Sequence, residues 1–254
     1  MINCFSESHC HLRSPIDDAI EQAKKVGVEL VLNAGIDLAS SEIAIQFARK
    51  YPIVKACVGI HPWNADQYSE EALHKLKELA TDAMVVAISE IGLDYTGRRT
   101  PEGQRVNEYI DKRIQRTAFR EQLKLAKELS LPVLVHDRTP EYEVLDILEE
   151  AGNAKVGAVI HGFSKDLAYA KRCIDMGVYL SIGLRDITSL ENTTLKEAIK
   201  QIPLHLLLTE TDSGNPEGVL TVANKVAELK NLSMDDVGLV ATQNLRKLIR
   251  QSGS

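Results

Sequence analysis

Apolar, β-branched runs alternate with longer amphipathic stretches from one end of the chain to the other, and this alternation narrows the fold to repeated βα units around a parallel sheet. Eight runs read as strands: Ile2 to Phe5, Leu30 to Ala34, Val54 to Ile60, Val85 to Ile91, Pro132 to Val135, Val156 to Ile160, Val178 to Ile182 and Leu204 to Thr209. Helical periodicity fills the gaps at Ile16 to Val26, Ser40 to Lys50, Glu70 to Ala80, Ile114 to Leu129 and Ala168 to Met176, with Lys and Glu collected on one face. Eight such units in 254 residues is the size of an α/β protein of the (β/α)8 or TIM-barrel type. A doubly wound open sheet has the same rhythm, because periodicity does not report closure. The chain is expected to form one domain over residues 1–250, followed by a frayed polar tail at 251–254. The stretch GRRTPEGQRVNEYIDK, Gly97 to Lys112, reads as a long charged loop after the fourth strand, where function or disorder is common.

The formal charge of −6 argues against a broadly basic nucleic-acid face, so an anionic substrate has to be captured locally. The four cysteines show no CxxC spacing, which fits reduced thiols. There is no basic segment followed by an apolar leader, and no apolar run of membrane-spanning length. The expected setting is the cytoplasm, without membrane contact or an obligate protein partner.

Chemistry-bearing residues are not spread evenly. Five of the seven histidines, His9, His11, His61, His136 and His161, fall at or just beyond the C-terminal end of an expected strand, together with Glu90, Glu210 and Asp212. In a closed barrel those ends form the active face. Taken singly, His61 reads as a turn cap before Pro62, His136 as a polar strand end and His161 as a helix-entry residue. Glu90 ends an apolar strand, where a carboxylate is costly unless it is paired or bound to a metal. His74 and His205 are assigned to structure. Core packing has no reason to gather His and carboxylate on one rim, so their convergence favours a site. Strand parity puts Glu7, His9 and His11 on one face, with Glu7 below the pair as an acceptor for an imidazole N–H. It also puts Leu206, Leu208, Glu210 and Asp212 on one face, with Asp212 at the rim and Glu210 a layer deeper.

The segments HCH (His9 to His11), GIHPW, SEIGLDY, LPVLVHDR, HGFS and TETDS occur in this order over nearly the whole chain. With FREQLKLA before strand five, MGVYLSIG on strand seven and Asn244 to Arg246, they closely resemble the TatD family of metal-dependent deoxyribonucleases. The resemblance implies two divalent ions, Mg, Mn or Zn: one near His9, His11 and Asp212, the other near His136 and His161, with Glu90 bridging. It implies hydrolysis of single-stranded DNA or RNA from the 3′ end by a metal-activated water, with Glu90 and Asp212 catalytic. His61 and Arg138, with Arg98 or Arg99, are the phosphate contacts. An amidohydrolase-type esterase or deacylase, for instance one acting on misacylated tRNA, would use the same metal site. Many such barrels bridge their metals with a carbamylated Lys on strand four; Glu90 at that place tilts the choice to phosphodiesters. A non-catalytic barrel is disfavoured because no ligand position is lost. The chain departs from the family pattern at Glu7 (usually Asp), Asp137 (usually Ser) and Gly214 (usually Pro). The first lengthens a supporting arm under the His pair, and the second is expected to add negative charge near the phosphate.

Overall fold

The protein, analysed as a computed structural model, is described over residues 4–97, 109–189 and 193–250. One sheet of eight parallel strands runs in chain order: β1 Phe5–Cys10, β2 Val28–Ala34, β3 Val54–Val58, β4 Val85–Asp94, β5 Val133–Arg138, β6 Ala158–Ile160, β7 Tyr179–Gly183 and β8 Leu207–Glu210. Its two edges meet. The Asp212 amide donates to the His9 carbonyl at 3.1 Å, the His11 amide to Ser213 at 2.9 Å and the Thr209 hydroxyl to Ser6 at 3.0 Å. The result is a (β/α)8 barrel, with helices α1 Asp17–Lys25, α2 Leu38–Lys50, α3 Glu70–Ala80, α4 Lys112–Glu128, α5 Glu143–Ala151, α6 Leu167–Met176, α7 Leu184–Thr188, α8 Thr193–Gln201, α9 Val219–Lys230 and α10 Met234–Arg250. None of the described helices is long and apolar enough to cross a membrane. Most of the charged loop, including Arg98 and Arg99, and the tail at 251–254 lie outside the described residues.

Local chemistry sets the helix starts. Ser69 accepts from the Ala72 amide and is followed by Glu70 and Glu71 in the first turn, so α3 begins where its sequence pattern begins. Asp37 and Ser40 cap α2 reciprocally.

The strands carry two different faces. Val31, Val54, Val133, Val135, Ile160 and Ile182 belong to the large apolar cluster formed with the helices. Leu30, Leu32, Cys57, Ala87, Leu134, Val159, Tyr179 and Leu208 form a second cluster, closed by Leu245 and Leu248 of α10. This second set is the barrel floor, and each fully buried Leu or Val in it contributes about 1.5–3 kcal/mol. Two residues along the same inward rows stand His136 after Leu134, His161 after Val159 and Glu210 after Leu208. A period of 2 therefore lifts each row from floor to active layer.

Two strand expectations are corrected. The first strand of the described residues is Phe5–Cys10, while Ile2 and Asn3 of the expected run lie outside them, and every residue in the strand is buried although it reads FSESHC. Its polar side chains serve the barrel mouth and closure, so hydrophobicity cannot mark it. Leu204–Leu206 forms a 3-10 turn after Pro203, and β8 starts only at Leu207.

Gly92 faces His136 across the β4–β5 ladder at φ +142, and a Cβ built there would lie 2.0 Å from the His136 carbonyl oxygen. Only glycine allows the two strands to approach this closely. Gly92→Ala is expected to cost at least about 1–3 kcal/mol and to drive His136 away from Glu90; the midpoint of urea unfolding measures the loss.

Candidate metal centre

Glu90, buried at the mouth in β4, is the hub. Its Oε2 lies 3.4 Å from Nε2 of both His9 and His11. Its Oε1 lies 2.6 Å from His136 Nδ1, 2.7 Å from His161 Nε2 and 3.2 Å from His61 Nε2. Asp212 Oδ1 joins the first side, 3.3 Å from His11 Nε2 and 3.8 Å from His9 Nε2. One carboxylate thus presents a separate oxygen to each of two groups of imidazoles. The sets His9–His11–Glu90, His9–His161–Asp212 and His61–Glu90–His136 each bring their donor atoms within 4.8 Å of one another.

The rear nitrogens decide which ring atom faces inward. His11 Nδ1 donates to the Ala34 carbonyl at 3.1 Å, His161 Nδ1 to Glu210 Oε1 at 3.2 Å and His136 Nε2 to Asp94 Oδ2 at 3.0 Å. Each ring is tethered from behind, as metal-ligating imidazoles are, and its other nitrogen is left pointing at Glu90. His9 is the exception: its buried Nδ1 has no hydrogen-bond partner among the described residues. His61 is arranged in the opposite sense. Its Nδ1 accepts the Trp63 amide N–H at 3.0 Å, so in the neutral ring the proton sits on Nε2, which becomes a donor towards Glu90. Imidazole nitrogen with carboxylate oxygen is the donor set of Zn and Mn, and carboxylate that of Mg, so the residues fit a divalent ion.

Electrostatics agree with that fit. Glu90, in spite of its burial, is held well below the usual carboxylate range by His61, His161 and His9, and Asp212, against its own desolvation, is held low by His11. Burial disfavours a charge on His11, yet Asp212 and Glu90 outweigh it and raise the ring to about 10; His161, buried beside Glu90 and Glu210, also reaches about 10. Burial pulls His61 down to about 4 and lowers His9 as well. These shifts favour protons on His11 and His161 between the carboxylates, and a divalent ion held there would have to displace them.

The acids of TETDS sit at different depths. Glu210 is fully buried and accepts the Gly162 amide at 2.6 Å as well as His161, while the Asp212 side chain is 30% exposed. The strand does not extend to Asp212, which adopts φ +52; a turn, not continued parity, swings its carboxylate to the rim. Glu7 also departs from expectation. It accepts the backbone amides of His9 at 3.0 Å and Thr211 at 2.9 Å, not an imidazole N–H. Fully buried, with its pKa raised by desolvation, the carboxyl bonds to the main-chain donors where β1 meets β8. Asp137 does not add free negative charge at the mouth: it is buried, accepting Thr139 and Tyr169 hydroxyls, with Lys165 3.4 Å away. A residue that sequence reasoning left without a role is Asp94, which accepts from both His136 and Trp63 Nε1 at 2.9 Å. It lies four residues after Glu90, and parity along β4 was the signal for it.

A cavity of about 420 Å³ opens beside the hub, with His11, His61, Glu90, His136 and Asp212 on its inner side and Leu12, Ile36, Phe47 and Trp63 on its outer side. Arg138 is not part of it. Its guanidinium donates to the Asp137 and Gly162 carbonyls at 3.0 and 3.3 Å and lines a neighbouring cavity.

Comparison with known proteins bears on this geometry. The family model described as TatD related DNase matches residues 7–250. The uncharacterized metal-dependent hydrolase YabD of Bacillus subtilis is 33% identical over 261 residues, covering 96% of this chain and 98% of that protein. The 3′-5′ ssDNA/RNA exonuclease TatD of Cronobacter sakazakii is 34% identical over 212 residues, covering 84% of this chain and 76% of its own length. The crystal structure of YJJV, a TatD homolog from Escherichia coli k12, matches with a TM-score of 0.85 at 28% identity and 98% coverage of both chains. With the match running from Glu7 beneath the metal centre to Arg250 at the end of α10, this chain belongs to the TatD related DNase family.

Proposed function

We propose that this protein is a two-metal nuclease that hydrolyses phosphodiester bonds at the 3′ ends of single-stranded DNA or RNA in the cytoplasm, working as one domain. The observation that carries the reading is Glu90 with one oxygen towards each of two imidazole groups, in which His11, His136 and His161 are tethered from behind to Ala34, Asp94 and Glu210. The exonuclease name of the Cronobacter relative supports the substrate class. His9, His11 and Asp212 would hold one ion and His136 and His161 the other, with Glu90 shared. Mg, Mn or Zn held there would supply Lewis acidity and lower the pKa of a water from 15.7 towards about 7.

The protein's own groups do the rest. Asp212, ionised and partly open to the cavity, takes the proton of the attacking water. His61, neutral with its proton on Nε2, gives that N–H to Glu90 Oε1 and steadies the shared carboxylate, while Trp63 fixes its tautomer. Glu210 and Asp94 hold His161 and His136 in orientation. The apolar outer wall of the 420 Å³ cavity accommodates the sugar and base beside the reacting phosphate. The same wall also suits the acyl part of an ester, and this keeps an amidohydrolase-type deacylase as the second reading.

Chelation tests the proposal. EDTA is expected to abolish release of nucleotides from end-labelled single-stranded DNA, and Mn²⁺ or Mg²⁺ in excess to restore it. Full activity in chelator, or inert DNA alongside rapid ester hydrolysis, overturns the nuclease reading.

A further inference from the structure

Three cationic side chains, Lys112 from α4, Arg138 from β5 and Lys165 before α6, line one cavity of about 440 Å³ together with Tyr95, Thr96 and Ser164. In a chain of net charge −6 such a concentration of positive charge is not background. Asp137 is the acid in this wall, and it is turned inward onto Thr139, Tyr169 and Lys165. Among the described residues of this wall the cations thus outnumber it by three to one.

Each cation is held in place by the fold. Lys112 Nζ sits 4.3 Å from the centroid of the Tyr95 ring. Lys165 is anchored on the Thr139 carbonyl and beside Asp137, and its side chain remains partly exposed. Arg138 lies flat against Gly162, which has φ +51; a Cβ there would come within 2.8 Å of Arg138 Nη2. That glycine leaves room for the guanidinium at the mouth.

The cavity begins where the metal-facing residues end. Thr96 follows Asp94 by two residues, Arg138 follows His136 by two, and Ser164 follows His161 by three. The Arg138 guanidinium donates to the carbonyl of Gly162, the residue after His161, at 3.3 Å. Resting on the nuclease reading above, we infer that Lys112, Arg138 and Lys165 form a second phosphate subsite, which binds the phosphate adjacent to the one being cleaved. The subsite makes the enzyme select oligonucleotides over isolated diesters, and it gathers positive charge in one place on a chain whose net charge is −6. Ammonium groups grip phosphate as point charges and the guanidinium as a fork, so a dianionic or monoanionic phosphate oxygen pair finds both kinds of donor here.

The test couples protein and strand. Fluorescent pentathymidylate is titrated in chelator with the wild-type chain and with the Lys112→Gln/Lys165→Gln variant, folding being checked by thermal melting. The titration is repeated with strands in which one phosphate at a time is replaced by a neutral methylphosphonate. In the wild type, one position is expected to cost about tenfold in affinity when neutralised. The variant is expected to lose about the same affinity for the unmodified strand and to be indifferent at that position. If every neutral linkage costs the variant what it costs the wild type, the subsite is overturned, while cleavage of the strand with metal restored leaves the nuclease reading standing. A wild-type chain that neither binds nor cleaves pentathymidylate overturns both.

Discussion

Glu90→Gln is expected to lower turnover of end-labelled single-stranded DNA by at least about 10²-fold and to reduce metal content at both positions together. The reason lies in the division of labour within one side chain. Oε2 serves His9 and His11 while Oε1 serves His136, His161 and His61. An amide keeps one neutral oxygen and points an N–H group at the other set, so either orientation of the substituted side chain deprives one side of an acceptor and both sides of a negative charge. The charge matters as much as the atoms, since Glu90 favours protons on His11 and His161. Metal analysis of the purified variant alongside kcat checks the claim. Near-normal turnover with two ions bound would remove Glu90 from the centre.

The second large effect separates Asp212 from Glu210. Asp212→Asn is expected to lower kcat by about 10²–10⁴-fold, the usual worth of general-base assistance. The side chain sits at the rim against His11 and opens to the cavity, where it would meet an attacking water. Glu210 is shut away beneath His161 and fixed by the Gly162 amide. Glu210→Gln keeps an acceptor for that amide but loses the charge behind His161, so its cost is expected in metal affinity and stability more than in kcat. Both variants should be compared at saturating metal. If Glu210→Gln proves the more damaging to kcat with both ions bound, the proton acceptor has been assigned to the wrong acid.

Most of the fold could be read because barrel strands are marked by what they bury. Seven of the strands carry apolar runs, and the helical periodicity of Glu70 to Ala80 marked α3 to the residue. The exception, β1, failed the same test because its buried residues are the polar ones that close the barrel and face its mouth. The histidines and acids were legible as a rim because strand ends can be located from sequence. Orientation was not. Whether His61 presents a lone pair or a proton depends on the Trp63 amide, and whether Glu7 meets an imidazole or a backbone depends on where β8 docks; neither is written in the local sequence pattern. Asp212 reached the rim as expected but through a left-handed residue that parity cannot foresee.

The seam between β8 and β1 has a consequence for how the enzyme comes into being. His9 and His11 are synthesised long before Asp212, and the hydrogen bonds that join Asp212 to His9 and His11 to Ser213 also bring the Asp212 carboxylate to 3.3 Å from His11. No chain that stops short of β8 brings Asp212 to the two histidines, and the closure that does so joins the first strand to the last across a span whose entropic cost grows only slowly with its length. A chain truncated before β8 would therefore lack both the seam contacts and the acid at the rim, so it is the closure of the barrel that assembles the mouth.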